Sequence, residues 1–405
     1  MKKLMMMAMM MVASATAFAG DSPALKAILK AKSYAEAQEL LNSSLSQLTS
    51  DAEKAKAYNK LVDLAMDDYN KQSTIVTENQ LAKQMGKEEK PVDNAAMSAA
   101  AFNAVQYAIE CDKYDQLPNE KGKVSPKFAS KNAQRVWGGA RMQLVNAGQD
   151  ALTAKDQATA RKYWQAFVES DAAPLFKECD RTSQAPFFGQ VARFTAIFAY
   201  QDKDMAKALQ LADVALKDSA EYESALNLKL EILGSDLKTK ADTLQYAEKL
   251  KGIYAEHKTN GVMEKLYNTY LGLGQTDEAN KLLDSVLATD PNNFVALADK
   301  GLALLTSQKA AEAIQYLEKA FNVKPDNAVI ATYTGTAYSV QAQDIEDPAK
   351  KKELYKKAIG YFDKAKELDP DRMQSNRGYN RYNAYYNYYG AEAPETKQAE
   401  ADSKN

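Results

Sequence analysis

A polar turn that recurs at a fixed distance is the feature that most limits how this chain can fold. Asp290-Pro291-Asn292-Asn293 and Lys324-Pro325-Asp326-Asn327 place their prolines 34 residues apart. A third turn, Asp369-Pro370-Asp371, follows 45 residues later, which is the same period with 11 residues inserted. Repetition at a period of about 20 to 50 residues indicates an array of small units, not a few independent globular domains.

Apolar residues return at fixed offsets between these turns. A small residue, a large one four positions on and a smaller one three further place one face of a helix against a neighbour. Because proline disfavours helix in the residue before it, each turn separates two helices. The chain is therefore predicted to be all-α, with helical hairpins that bury their apolar faces by stacking. The sets in register are Ala279, Leu283, Val286 and Pro291; Ala313, Leu317, Ala320 and Pro325; and Ala358, Phe362, Ala365 and Pro370.

This pattern resembles the tetratricopeptide repeat family, whose unit is a helix–turn–helix of about 34 residues. The resemblance is clearest over 260–370 and weaker over 188–257, and the earlier residues are predicted to be helical from periodicity alone. It implies a right-handed superhelical solenoid of stacked antiparallel hairpins. Further matching residues are Leu266, Tyr270, Gly301, Leu304, Gly335 and Tyr338.

The first segment, residues 1–19, has the pattern of a cleaved signal peptide. Lys2 and Lys3 precede an apolar run, and Ala17-Phe18-Ala19 supplies the small residues of a cleavage site. This pattern predicts an exported bacterial protein of the periplasm or the cell exterior. Since the apolar run is shorter than the roughly 20 residues that span a bilayer, no transmembrane segment is expected in the mature chain.

The mature chain is predicted to contain four further segments. These are a divergent helical-repeat region at 20–187, a tetratricopeptide-like array at 188–370, a tyrosine-rich capping helix at 371–390 and a disordered tail at 391–405. Within the array, the insertion around Gln341–Lys351 is expected to lengthen one inter-helix loop.

Composition narrows the possible functions. Lys and Arg number 52 against 54 Asp and Glu, and this near-neutral balance argues against a nucleic-acid partner. One histidine, His257, and two cysteines cannot supply a histidine-rich metal site or a zinc cluster. The sequence contains no phosphate loop, GxSxG or HExxH motif. We therefore predict no catalytic residue, metal or cofactor, and interpret His257 as the end of a helix.

An enzyme remains an alternative interpretation, because some exported helical toroids cleave polysaccharides with paired carboxylates. Glu110 with Asp112, or Glu178 with Asp180, could fill that role. The simpler interpretation is that these carboxylates end helices and face water.

The two cysteines lie in similar sequence contexts. Glu110-Cys111-Asp112-Lys113 and Glu178-Cys179-Asp180-Arg181 are offset by 68 residues, which suggests equivalent loops in a larger duplicated unit. In an oxidising compartment the pair could form a disulfide. Equivalent points on packed helices lie about 8–10 Å apart, however, whereas bonded cysteines need Cα atoms within about 7 Å. A bridge between Cys111 and Cys179 and two buried thiols both remain open.

The family resemblance implies that the first helices of the hairpins line a groove for a protein or peptide. Acidic and apolar residues replace several basic positions that would clamp a C-terminal carboxylate, so that ligand class is disfavoured. The sequence predicts a non-enzymatic exported scaffold that binds a protein or peptide partner in the bacterial cell envelope. The implied lining is Glu264, Asn268 and Leu271; Ala298, Leu302 and Leu305; and Thr332, Thr336 and Ser339.

A tyrosine cluster offers another binding hypothesis. Tyr379, Tyr382, Tyr386 and Tyr389 share one face of a predicted helix. They could form an aromatic platform for an envelope glycan or a peptide. Alternatively, a terminal capping helix packs one aromatic face on the last repeat and exposes the other.

Overall fold

The computed structural model describes residues 20–119 and 122–404, so the predicted signal peptide lies outside the described residues. Every regular element in the described part is a helix, which confirms the all-α prediction. The chain forms two compact units that divide between Ile232 and Leu233. This boundary differs from the one placed at residues 187/188, because Val191 and Ala196 belong to the same apolar core as Trp164.

The first unit consists of long helices followed by shorter hairpins. A π-helical turn at Val136–Ala140 joins two of the helices, and it contains both Gly138 and Gly139. Those glycines are therefore helical. The helices are α1 (Pro23–Lys30), α2 (Tyr34–Ser44), α3 (Asp51–Gln84), α4 (Asn94–Asp115), α5 (Ala129–Arg135), α6 (Arg141–Thr153), α7 (Gln157–Asp171), α8 (Ala185–Gln201), α9 (Met205–Ala215) and α10 (Tyr222–Gly234), whose last two residues lie past the boundary.

The α6–α7 hairpin has the repeat spacing, although the sequence pattern did not reveal it. Ala160, Trp164 and Phe167 follow Gly148 by 12, 16 and 19 residues, as Ala313, Leu317 and Ala320 follow Gly301. A β-carbon on Gly148 would lie 2.2 Å from the Trp164 indole, so only glycine fits there. The repeat pattern did not identify this hairpin, because tryptophan occupies a position that leucine or phenylalanine takes in the hairpins over 260–370.

The second unit alternates first and second helices. Their caps explain the repeated turns, because Asn293 Oδ1 accepts a hydrogen bond from the Ala296 amide at 3.1 Å and Asn327 Oδ1 from the Ile330 amide at 2.9 Å. The helices are α11 (Lys240–Glu256), α12 (Asn260–Gly272), α13 (Thr276–Thr289), α14 (Phe294–Thr306), α15 (Ala310–Val323), α16 (Ala328–Gln343), α17 (Pro348–Leu368), α18 (Gly378–Tyr389) and α19 (Pro394–Lys404).

The 11-residue insertion lengthens helices, not the loop in which it was predicted. Compared with α14 and α15, α16 is three residues longer and α17 seven residues longer, while the intervening turn gains one residue. Asp347 caps α17 and Pro348 occupies its first turn, so the lysine-rich insertion continues directly as helix.

The C-terminal segment also differs from the prediction. Residues 394–404 form α19 instead of a disordered tail, and α18 is followed by this helix instead of ending the array. Thr396 and Ala399 are both 1% exposed, and Arg381 of α18 forms an ion pair with Asp402 at 3.1 Å. The sequence of α19 did not predict this packing, because the helix is short and polar and buries only two residues.

None of the helices in the described residues is both long enough and apolar enough to cross a bilayer.

Candidate binding surface

The first helices of the second unit lie beside one another. Asn293 at the start of α14 donates a hydrogen bond to Asn260 at the start of α12 at 3.0 Å. Ala298 of α14 shares an apolar cluster with Ile330 of α16. These contacts bring the predicted lining residues onto adjacent helices. We call them the first-helix surface: Glu264, Asn268, Leu271, Ala298, Leu302, Leu305, Thr332, Thr336 and Ser339.

Exposure decreases across this surface. Glu264 and Asn268 are exposed, and Leu271 is exposed over 42% of its area. Leu302 and Leu305 are half-buried, so part of each side chain remains open to a ligand. The α12–α14 part therefore presents apolar groups together with a carboxylate and an amide.

The α16 part is partly covered by the chain itself. The Thr332 hydroxyl is buried and lies 3.0 Å from the Ser375 hydroxyl. Asn380 of α18 donates a hydrogen bond to the half-buried Thr336 hydroxyl at 3.4 Å. The half-buried Ser339 has a buried hydroxyl without a hydrogen-bond partner among the described residues. The accessible part of the first-helix surface is thus centred on α12 and α14.

Asp299 lies beside Ala298 but was not among the predicted lining residues. It lies on α14, is half-buried, and forms no hydrogen bond or ion pair within the described part of the chain. Burial and the neighbouring carboxylate of Glu264 raise the pKa of Asp299 to about 6. The next residue, Lys300, is already paired with Asp284 at 2.8 Å. The carboxylates of Glu264 on α12 and Asp299 on α14 therefore interact electrostatically, and neither forms an ion pair with a cation of the described residues.

The four tyrosines of the predicted platform do not share one environment. Tyr379 is 70% exposed, and Tyr386 and Tyr389 are nearly half exposed. Tyr382 is partly buried against the apolar core of the unit. The opposite face of α18 is buried through Arg381, Ala384 and Tyr385, so this helix packs one face and exposes tyrosine on the other.

The carboxylates considered for catalysis have local structural contacts. Glu110 pairs with Lys113 at 2.5 Å, and buried Asp112 accepts a hydrogen bond from Gln116 at 3.0 Å. Asp180 accepts hydrogen bonds from Thr182, while the Glu178 side chain is 91% exposed. His257 caps the end of α11, as predicted. No group of His, Cys, Asp or Glu in the described ranges is arranged to hold a metal ion.

The cysteines are unbonded and occupy different environments. Cys111 lies inside α4, where its Sγ donates to the Ala55 carbonyl oxygen at 3.3 Å, whereas Cys179 lies in a turn and is half-buried. The prediction of equivalent loops is therefore wrong, because one segment continues a helix and the other follows the 3-10 turn at Pro174–Phe176. Of the two thiols, Cys111 is buried and Cys179 is half-buried.

The first unit contains a separate cavity of about 380 Å³ that the sequence did not suggest. Phe188 and Val214 provide apolar parts of its wall, and Arg181, which also lines it, pairs with Asp171 at 3.3 Å. Arg141 pairs with the same carboxylate from a fully buried position between the rings of Trp137 and Phe167. Arg181 and Arg141 thus share one carboxylate, that of Asp171, beside this cavity.

Comparison with known proteins identifies the repeat. Residues 270–333 match a family model described as tetratricopeptide repeat. A comparison with curated proteins finds no significant match. Similar solved structures include the MamA protein, at 14% identity, covering 58% of this chain and 94% of that one with a TM-score of 0.23.

Two other similar structures cover more of the chain. The human IFIT1 dimer with m7Gppp-AAAA has 14% identity and a TM-score of 0.35, covering 85% of this chain and 77% of that one. The P58(IPK) TPR domain has 13% identity and a TM-score of 0.24, covering 92% and 97%. These values are too low to bear on function. The match lies within the hairpins formed by α12 to α16, and residues 270–333 therefore match the tetratricopeptide repeat family in both sequence and helix arrangement.

Proposed function

We propose that this protein is a non-enzymatic, exported scaffold that binds a protein or peptide partner in the bacterial cell envelope. Tetratricopeptide repeats are typical of protein-interaction scaffolds, and this part of the proposal rests on the family match. The partner would lie along the first-helix surface, centred on α12 and α14.

One observation carries this proposal. Leu271 is 42% exposed and Leu302 is half-buried, and both lie on first helices next to the polar side chains of Glu264 and Asn268. Open apolar side chains among polar ones match a protein or peptide ligand, because buried apolar anchors provide most of the binding energy and polar neighbours fix the register.

Affinity capture from an envelope extract tests the proposal with matched variants. Leu271→Gln with Leu302→Gln should reduce capture of the partner by about tenfold or more, because both apolar contacts are lost. Leu244→Gln is the control, since Leu244 is 40% exposed on α11 and lies outside the first-helix surface. Equal capture by all three proteins would contradict binding at this surface.

Export is the second part of the proposal, and the pattern of residues 1–19 supports it. Mass spectrometry of the protein purified from the cell envelope should find a mature N-terminus at Gly20. Recovery of the chain only from the cytoplasm, with residues 1–19 retained, would contradict this part of the proposal.

Glycan binding is the alternative function, favoured by the exposed rings of Tyr379 and Tyr386 on α18. Retention on immobilised envelope polysaccharide, lost in a Tyr379→Ser and Tyr386→Ser variant, would support it. Retention that does not change in this variant would count against the aromatic platform.

A further inference from the structure

Glu264 of the first-helix surface and Asp299 beside it form an acidic position among apolar and uncharged polar side chains. Asp299 is half-buried on α14 and Glu264 is exposed on α12, and the two carboxylates are close enough to act on each other electrostatically. Within the described ranges, Asp299 accepts no hydrogen bond and has no ion pair. A partly desolvated carboxylate without a counter-charge costs stability, so its presence calls for an explanation.

Neighbouring side chains do not supply the missing cation. Lys300 follows Asp299 in the sequence, but its side chain is only 12% exposed and is paired with Asp284 on α13. Tyr267 is the other titratable side chain that interacts with Asp299, and it is a buried phenol on α12. The local charge is therefore negative, and the exposed side chain of Glu264 leaves this position accessible from solvent.

Apolar contacts flank this acidic position. Leu271 lies two helical turns along α12 from Glu264, and Leu302 lies one turn along α14 from Asp299. With packed helices about 8–10 Å apart, an extended peptide of about three residues would cross from α12 to α14, the accessible part of the first-helix surface. A peptide could thus place one side chain between the carboxylates and others on the leucines.

We infer that the partner binds the first-helix surface as an extended peptide segment and places a lysine or arginine side chain between Asp299 and Glu264. Charge complementarity identifies the occupant: the cation provides the counter-charge that Asp299 lacks, and the aliphatic part of the same side chain packs toward the leucines. This inference rests on the proposed function, and it specifies which partner chemistry the surface selects.

A displayed library of random twelve-residue peptides, selected on the full chain, tests this inference even while the partner is unidentified. Peptides that bind the wild type should be enriched in lysine or arginine at one position. The affinity of the best peptide should fall about tenfold or more for the Asp299→Asn, Glu264→Gln variant, and similarly when its basic residue is replaced by norleucine.

A charge-matched control separates this site from a general effect of charge. The Glu346→Gln, Glu353→Gln variant loses the same two charges at exposed positions, in the turn before α17 and on α17, and should bind the peptide like the wild type. A similar loss of affinity in both double variants would overturn the inference. Circular dichroism of each variant verifies that the helices remain folded.

The remaining outcomes distinguish this inference from the proposed function. Selected peptides that depend on Leu271 and Leu302 but show no enrichment in basic residues would overturn the inference and leave the proposed function standing. Failure to select any peptide sensitive to Leu271→Gln with Leu302→Gln would contradict both.

Discussion

Gly301 on α14 and Leu317 on α15 lie so close that a β-carbon on Gly301 would be 2.6 Å from Leu317 Cγ. The contact recurs one repeat later, where a β-carbon on Gly335 would be 3.0 Å from Phe362 Cδ1. The repeat pattern in the sequence therefore encodes a specific close approach between the two helices of these two hairpins.

This contact predicts opposite effects for two glycine substitutions. Gly301→Ala should lower the free energy of unfolding by about 1–3 kcal/mol, because the added methyl group overlaps the buried Leu317. Gly360→Ala should raise it by about 0.5–1 kcal/mol, because Gly360 is exposed within α17 and has no atoms within 4 Å of the added carbon. Denaturant unfolding measures both. A stabilising Gly301→Ala would show that the two helices can separate freely.

Asp299→Asn should stabilise the protein in a pH-dependent way. Burial and Glu264 raise the pKa of Asp299 to about 6. The folded state therefore binds this proton more tightly than the unfolded state, and the wild type loses stability as the pH rises from about 4 to about 6. At pH 8 the variant should be more stable by about 1 kcal/mol, whereas at pH 4 the difference should nearly vanish.

Thermal unfolding of the wild type and Asp299→Asn at both pH values provides the measurement. Comparing the two proteins at each pH cancels the titration of all other shared groups, except for the couplings of Asp299 to Glu264 and Tyr267. A stability difference that is the same at pH 4 and pH 8 would contradict an unpaired, partly desolvated carboxylate.

The packing of α19 predicts a difference between two alanines on the same helix. Ala399→Asp should lower the stability of the second unit by about 2 kcal/mol, because Ala399 is 1% exposed against α18. Ala401→Asp is the control, since Ala401 is exposed. Hydrogen exchange of the α18 and α19 amides should accelerate only in the first variant. Fast exchange throughout α19 in the wild type would restore the prediction of a disordered tail.

The thiols should differ in reactivity. Burial, followed by the charges of Asp115 and Asp112, raises the pKa of Cys111 to about 12. In native protein at pH 7.5, an alkylating reagent should therefore modify the half-buried Cys179 before Cys111. In denaturant without reductant, both should react fully. Resistance of both cysteines in denaturant, relieved by a reductant, would demonstrate a bridge.

The sequence predicted the parts of the fold that depend on local chemistry. The Asn293 and Asn327 caps and the small residues at Gly301 and Gly335 are encoded within single hairpins, so the repeat could be recognised from spacing alone. The α6–α7 hairpin escaped recognition because Trp164 replaced a smaller apolar residue, although Gly148 preserved the register.

Features that depend on contacts between distant segments were not predictable in this way. The α19 helix has few apolar residues, and its burial depends on the partner surface of α18. The candidate site shows the same limit: spacing placed Glu264 and Leu302 on first helices, but the unpaired state of Asp299 became visible only when α12 and α14 were brought together.

Photo-crosslinking in intact cells tests the central claim most directly. A photoreactive benzoylphenylalanine at position 302 lies on the first-helix surface, and one at position 244 is the control on α11. The proposed function predicts a discrete crosslinked protein band from position 302 and none from position 244. A band from position 244 alone, or equal bands from both positions, would contradict a partner bound along the first-helix surface.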